Sequence, residues 1–312
     1  MDAVYVGIDV SKDRLDVCVR PGGEAFVVAR DGKGLEELVE RLHVLTPRLI
    51  AVEATGGFET IAAAAIAGAG LPLVVVNPAQ VRHFAQAVGR RAKTDPIDAE
   101  MIARFVEATK PDIRPLPDEA ARLLADLVAR RRQIVEMIGA ERNREKRAHV
   151  KRIKKSIARL IGALEKELAE IDAQIDESVR GSPAWREKED LLVSVPGVGS
   201  TSARTLIADM PELGTLDSKR IGSLGGLAPF TRQSGQWKGK AAIGGGRPTV
   251  RAALFVCAMA AVRHNPVLKA FRDRKVAEGK PKKLVLIAVA RKLLTILNAI
   301  LRDKQPWRPE IA

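Results

Sequence analysis

Val4-Tyr-Val-Gly-Ile-Asp9-Val10, then Ser11-Lys-Asp13, then Arg14-Leu-Asp-Val-Cys-Val19 is the stretch that decides the fold. The first segment is a continuous apolar run, the last alternates apolar and polar, and a short polar turn joins them. This is the pattern of a buried strand that turns into a half-buried antiparallel neighbour. Pro21-Gly-Gly23 turns the chain again, and Ala25-Phe-Val-Val28 completes an antiparallel meander. Beyond it the period changes: Leu35, Leu38, Val39 and Leu42 recur at helical spacing over 34–45. Leu49-Ile-Ala-Val52 is a buried strand ending at Glu53, a helix covers about 57–68, and Leu71–Val76 is strand once more. The order β-β-β-α-β-α-β predicts an α/β sheet whose ligands sit beyond its strand ends.

Acids occupy unusual places in that pattern. Asp9 stands inside the first strand, between Ile8 and Val10, and Glu53 closes the fourth. A carboxylate is seldom buried without a partner, so two on neighbouring strands suggest a shared metal. The other reading of Asp9 is a turn acid bonded to the Ser11-Lys12 backbone. A third helix starts at Pro78, and after the basic loop Gly89–Lys93 comes Thr94-Asp95-Pro96-Ile-Asp98. Pro96 suits a first helical turn, Asp95 reads as its cap, and Asp98 lies three residues on, on the same face. Carboxylates held that close repel unless a cation lies between them, although acids also favour helix N-termini through the macrodipole. Asp13 and Asp16 are expected to face solvent.

The charge balance points to a polyanion. Lys and Arg number 52 against 38 Asp and Glu in 312 residues, a net charge of +14. Each basic contact to a phosphate releases condensed counterions, so such an excess favours nucleic acid. Cys18 and Cys257 lie in apolar surroundings and form no disulfide framework or zinc spacing, and His43, His83, His149 and His264 are scattered. No signal peptide is expected and no apolar run of membrane-spanning length, so the expected setting is cytoplasmic and reduced, with no membrane partner.

After the linker Arg114-Pro-Leu-Pro117, residues 118–178 contain no proline, and apolar positions recur along them with a period near 3.5. One long helix or a helical hairpin with a coiled-coil seam is predicted, with any break between Gly139 and Arg152. Residues 130–159 hold 12 Lys or Arg and 3 Asp or Glu, a net +9 that balanced helical ion pairs would not leave. Arg142, Arg144, Lys151, Arg152, Lys154 and Lys155 are therefore candidate nucleic-acid contacts, as is Lys93 beside the acidic helix. Leu191-Leu-Val-Ser-Val-Pro196-Gly-Val-Gly199 followed by Ser200–Ile207 resembles a helix-hairpin-helix, in which Gly197 and Gly199 would let backbone N–H groups meet phosphates. Eight glycines fall within residues 222–246, suggesting close approach of backbone to a ligand, with Arg232, Lys238 and Arg247 supplying phosphate contacts. Three helices close the chain, about 248–264, 266–278 and 282–303; they carry many basic residues, Arg251 among them.

Asp9, Glu53, Asp95 and Asp98 on this element order resemble the ribonuclease H-like nucleases, more narrowly the RuvC-like junction-resolvase type. Gly7-Ile-Asp9 also resembles the start of actin-like ATPases, but the second phosphate loop and the matching domain of that class are missing from the sequence. The whole chain resembles the DEDD-type transposases of the IS one-ten insertion-sequence family. The motifs that carry this are Gly7-Ile-Asp9-Val-Ser-Lys, Val52-Glu53-Ala-Thr-Gly-Gly, Lys93-Thr-Asp95-x-x-Asp98-Ala, Pro196-Gly-Val-Gly, Gly226-Leu-x-Pro229 through Ser234-Gly, and Gly245-Gly-Arg247-x-x-Val-Arg251. Arg272 departs from it, since many relatives carry a second aromatic after Phe271.

The resemblance implies three parts: a ribonuclease H-like α/β domain (1–115), a helical coiled-coil connector (116–182) and a mainly α C-terminal transposase domain (183–312). It implies a DNA recombinase with a composite site. Asp9, Glu53, Asp95 and Asp98 would hold magnesium, two ions in such sites, and Ser234 would become joined to a DNA 5′-phosphate. A structured bridge RNA would pair with donor and target DNA, and the protein would act as a homo-oligomer, dimer or tetramer. A metal-dependent nuclease or junction resolvase without a covalent intermediate shares the acids but needs no Ser234. A non-catalytic nucleic-acid scaffold needs neither.

Overall fold

The computed structural model describes residues 3–90, 95–113, 115–231, 233–235, 237–239 and 241–309, with backbone alone at 95, 96, 233, 237 and 238. It divides into two compact units, Met1–Leu116 and Pro117–Ala312.

The first unit is a five-stranded sheet with helices on both faces. Strands β1 (Tyr5–Val10), β2 (Arg14–Arg20) and β3 (Ala25–Ala29) form the antiparallel meander; β4 (Leu49–Glu53) and β5 (Leu73–Val76) run parallel to β1, giving the order β3-β2-β1-β4-β5. Alternation along β1 divides its side chains between two cores. Val6, Ile8 and Val10 join Leu35, Leu38 and Leu42 of α1 (Gly32–Leu45) and Ala62, Ala63 and Ile66 of α2 (Glu59–Gly68). On the opposite face Tyr5, Leu49, Ala51, Val74 and Val76 meet Val81 of α3 (Pro78–Ala87) and Met101, Ile102, Phe105 and Val106 of α4 (Asp95–Thr109).

Gly7 is what brings α4 onto this second face. A Cβ at that position would lie 2.3 Å from the Ala103 nitrogen and 2.4 Å from the Ala99 oxygen, so the helix backbone rests directly on the strand. Both cysteines are buried and unpaired. Burial raises the thiol pKa of Cys18, with the Glu100 carboxylate adding to it, and burial also raises that of Cys257.

In the second unit, α5 (Glu119–Arg147) and α6 (Lys151–Gly181) form a helical hairpin. Ion pairs Arg131–Asp172 at 2.6 Å and Arg142–Glu165 at 2.7 Å fix the two helices antiparallel. The turn falls at 148–150, inside the interval where the apolar pattern lapses. The seam therefore finds its partner within the chain: Ile134, Ile138, Ile171 and Ile175 are buried, and Leu164 and Leu168 pack against them. Leu160, near the turn, is 47% exposed.

The hairpin lies within the second compact unit. Its buried residues belong to one core with those of α7 (Pro183–Val193), α8 (Ser200–Asp209), α9 (Ser218–Leu224), α10 (Pro248–His264), α11 (Pro266–Ala277) and α12 (Lys282–Asp303), running from Leu124 to Ile300. Arg204 of α8 bridges Glu189 at 2.7 Å and Asp176 at 2.7 Å, binding three helices together. Burial acts against its charge, yet the hydrogen bonds of the two carboxylates hold its pKa above the ordinary value.

The expectation about membrane-spanning runs needs correction. α12 is long and apolar enough to cross a membrane by length and composition. Its apolar side chains are used otherwise: Val285, Val289, Leu293, Leu294, Leu297 and Ile300 are buried in the shared core. Asn298 on the same helix accepts from the Gly214 N–H at 2.8 Å and donates to the Leu216 carbonyl at 2.8 Å.

Candidate active site

The acids of the first unit gather at one end of its sheet. Ile8 pairs with Val52, so Asp9 and Glu53, the next residues of two parallel strands, stand side by side. Asp9 also pairs with Asp16 across the antiparallel β1–β2 ladder, so their side chains share a face. Period-two alternation puts Asp9 on the same face as Gly7, the face that α4 covers.

The direction of α4 then locates Asp98. Glu107, near its C-terminus, bonds Arg20, the partner of Tyr5 at the start of β1. Ala99 and Ala103 lie over Gly7, midway along the strand. The helix thus runs antiparallel to β1, and its first turn, with Asp98 and the backbone of Asp95, reaches the end where Asp9 and Glu53 stand. Asp9, Glu53 and Asp98 are each half-buried. The Asp95 side chain and Lys93 lie outside the described residues.

Local bonds hold the loops that carry these acids. The Ser11 hydroxyl donates to the Arg14 carbonyl at 2.9 Å and closes the β1–β2 turn. After β4, one Glu59 oxygen accepts from the Thr55 and Gly57 N–H groups at 3.0 and 2.8 Å. Arg30 ties the two loops together, donating to the Lys12 carbonyl at 2.8 Å and the Phe58 carbonyl at 3.1 Å.

Asp16 is not solvent-facing as expected. It is 2% exposed, because its pairing with Asp9 turns it onto the covered face, where Arg14 Nε donates to it at 3.0 Å. Asp13, in the turn, is exposed as expected. The sequence signal for Asp16 was its place in the alternation, opposite Asp9 by turn counting.

The donor chemistry suits a hard divalent cation, since carboxylate oxygens are the ligands such ions select. Among the described residues, no group of three or more His, Cys, Asp or Glu is close enough to hold a metal ion. The acids fit such an ion by donor type; three of the four lie on elements that end at the same edge of the sheet, and the fourth side chain lies outside the described residues.

In the second unit β6 (Pro229–Phe230) pairs with β9 (Ala242–Ile243), and between them Ser234 is exposed on a short hairpin of β7 (Gln233–Ser234) and β8 (Trp237–Lys238), where it pairs with Trp237. Gly235 follows it with φ +55°, a left-handed turn position. Arg232 and the Lys238 side chain lie outside the described residues. Three of the glycines around this hairpin, Gly226, Gly245 and Gly246, approach one another. A Cβ on Gly246 would lie 2.3 Å from the Gly226 nitrogen, and one on Gly226 would lie 2.5 Å from the Gly245 oxygen. Arg251 secures the crossing, donating to the Gly245 carbonyl at 2.8 Å, and Arg247 bonds Glu212 at 2.5 and 2.7 Å. Both arginines, expected to meet phosphate, thus also have partners in the chain.

Gly197 has a packing role as well. Its φ is +105°, and a Cβ there would lie 2.5 Å from the Ala261 backbone of α10. Gly199, ahead of α8, is exposed with open space beside it. At the α5–α6 turn, Lys151, Arg152, Lys154 and Lys155 are exposed; Arg142 and Arg144 are exposed too, and pair with Glu165 and Glu141. Exposed pairs of this kind contribute about 0–1 kcal/mol, little enough for a phosphate to displace the carboxylate.

Comparison with known proteins agrees with this chemistry. A family model described as a transposase, of the DEDD IS110 type, matches residues 6–154, and one described as Transposase IS116/IS110/IS902 family matches residues 189–273. The chain is 29% identical to the pilin gene-inverting proteins of Moraxella bovis and of Moraxella lacunata, over 100% of its own length and 99% of theirs. It is 31% identical to an uncharacterized 42 kDa protein of insertion element IS900 from Mycobacterium paratuberculosis, over 49% of this chain and 38% of that protein. A DEDD family suggests dependence on a divalent metal. The chain belongs to the IS110 family of transposases and DNA recombinases, and is an enzyme that acts on DNA.

Proposed function

We propose that this transposase cuts and rejoins donor and target DNA through a composite site, with Asp9, Glu53, Asp95 and Asp98 on one side and Ser234 on the other. The observation that carries the reading is the convergence of Asp9, Glu53 and the first turn of α4 at one end of the sheet. The strand order β3-β2-β1-β4-β5, with acids on β1, β4 and a later helix, supports a ribonuclease H-like, RuvC-like assignment for this unit. Magnesium is the cation we assign to the four acids; when bound, it offsets their repulsion and stabilises charge developing on phosphate oxygens.

Ser234 is the nucleophile. Its Oγ bonds to phosphorus while the bond from phosphorus to the 3′-oxygen breaks, leaving a 5′-phosphoserine; the serine proton passes to a base and the 3′-oxygen takes one up. A serine hydroxyl is almost wholly protonated at neutral pH and needs such help. Its exposure at a hairpin rim gives DNA access to it. The acids and the serine belong to different units, so one phosphodiester must meet both, within one subunit or between subunits of a homo-oligomer.

The exposed basic turn of the α5–α6 hairpin is the surface we assign to a structured guide RNA, which selects donor and target, in the cytoplasm. Replacing Lys151, Arg152, Lys154 and Lys155 with glutamate is expected to weaken RNA binding and flatten its salt dependence. Removing about four phosphate contacts would reduce the slope of log K against log salt by roughly 3–4. An unchanged slope in filter-binding titrations would remove this surface from the reading.

The covalent step has a direct test. Wild type incubated with a nicked suicide substrate is expected to give a protein–DNA adduct that survives denaturation and maps to Ser234 by mass spectrometry. Ser234→Ala is expected to bind DNA and yield neither adduct nor recombinant. An adduct that persists in Ser234→Ala, or none from an active wild type, overturns the covalent mechanism in favour of a plain nuclease.

A further inference from the structure

The chain contains 3 Trp, 1 Tyr and 7 Phe. Among the described residues only two of these rings are exposed, Phe58 at 43% and Phe230 at 52%. Phe58 already carries a cation, the Arg30 guanidinium 5.0 Å from its ring centre. A single apolar side chain on a surface needs no explanation. What singles out Phe230 is its rigid seat and its place four residues before Ser234.

Phe230 pairs with Ala242 across the β6–β9 ladder, and its neighbour Pro229 pairs with Ile243. Paired residues share a face, and successive residues alternate between faces. Ile243 packs against the core of the second unit, so Phe230 and Ala242 stand on the outer face, and both are exposed. The strands beneath the ring are fixed on both sides. Gly226 before β6 and Gly246 after β9 cross so closely that a Cβ on Gly246 would lie 2.3 Å from the Gly226 nitrogen. Arg251 ties this crossing by donating to the Gly245 carbonyl at 2.8 Å. The loop that carries Ser234 rises between these same two strands.

We propose that Phe230 stacks on a nucleobase of the DNA strand next to the phosphodiester that Ser234 attacks, and so positions that strand on the hairpin. The inference rests on the serine reading above and adds a contact to it. Strands that are exchanged must part from their complements, and a base beside the cut then loses a stacking neighbour. A fixed aromatic plane replaces that neighbour. Every base has a π-face, so the contact tolerates any sequence, in keeping with the assignment of sequence choice to a guide RNA.

The test is single-turnover cleavage, by the full-length chain, of synthetic DNA spanning the cut, intact or with one abasic position at a time. Phe230→Leu, apolar without a ring, is expected to lower kcat/KM on intact DNA about fivefold to hundredfold, whereas Phe230→Tyr stays near wild type. At one abasic position beside the cut, wild type should slow by a similar factor while Phe230→Leu slows no further. Equal cleavage of intact DNA by wild type and Phe230→Leu, or losses that multiply at every abasic position, would overturn the proposal. So would a Phe230→Tyr protein as slow as Phe230→Leu. The ring lies on the outer face, so these variants leave the core packing in place. The Ser234 adduct is scored in the same reactions: its absence from active wild type would sink the serine reading, while the abasic pattern still decides Phe230.

Discussion

Asp9→Asn is expected to lower DNA strand exchange by roughly 10³-fold or more while leaving folding and DNA binding intact. The change keeps the side chain's size and removes its charge. Asp9 lies between Asp16 on β2 and Glu53 on β4, a row of carboxylates that crosses three adjacent strands. Such a row carries mutual repulsion and the amide keeps the side chain's shape, so the unfolding temperature should change far less than the activity does. Activity and stability therefore move independently, which a merely structural acid would not allow. Glu53→Gln and Asp98→Asn should behave alike. Wild-type rates of recombination in any of these variants, assayed with magnesium, would contradict the site.

Gly7→Ala should be among the most damaging substitutions in the first unit, although it adds one methyl group. The new carbon would meet the Ala103 nitrogen at 2.3 Å, the Ala99 oxygen at 2.4 Å and the Ala103 Cα at 2.9 Å. All three are backbone atoms, so no side chain can rotate away, and α4 has to lift off the sheet. Overpacking costs about 1–3 kcal/mol where side chains can yield, and this position should reach about 3 kcal/mol or more. Denaturant unfolding would read it as a lowered midpoint. Asp98 moves with the helix, and displacement of a reacting group by about 1 Å can cost about 10²-fold in rate. A Gly7→Ala protein with unchanged midpoint and activity would show that α4 does not bear on β1 in this way.

The sheet was legible in the sequence because its strands are short apolar runs bounded by turn residues, and the change from period two to helical spacing falls at the start of α1. The acids on β1 and β4 stood out for the same reason, as charges inside such runs. Asp16 was misjudged because alternation gives the face of a strand but not which face a distant helix will cover; α4 lies some eighty residues further on. The helical hairpin was anticipated as one of two possibilities, and the interval lacking apolar residues marked its turn. A second copy of the chain was the expected partner of its seam, whereas α5 and α6 pack on each other; a seam of leucine and isoleucine suits either. The glycine-rich stretch was similarly ambiguous. Glycine permits close approach, and only the fold reveals that Gly226 and Gly246 approach each other.

The single core that runs from Leu124 to Ile300 has a consequence for synthesis on the ribosome. The first unit holds all its strands and helices by residue 116 and can close as soon as it emerges. The second cannot. At about 5–20 residues per second, α5 waits roughly 10–40 s for α12, the last helix, to complete the surface it packs into. Until α7, α8 and α10 follow, the apolar stripes of α5 and α6 have only each other to cover them. The antiparallel pairing, with its ion pairs Arg131–Asp172 and Arg142–Glu165, is thus also a holding arrangement for a half-made chain. Nascent chains stalled before residue 282 should then bind chaperones through this unit, and release from them should coincide with the emergence of the final helix.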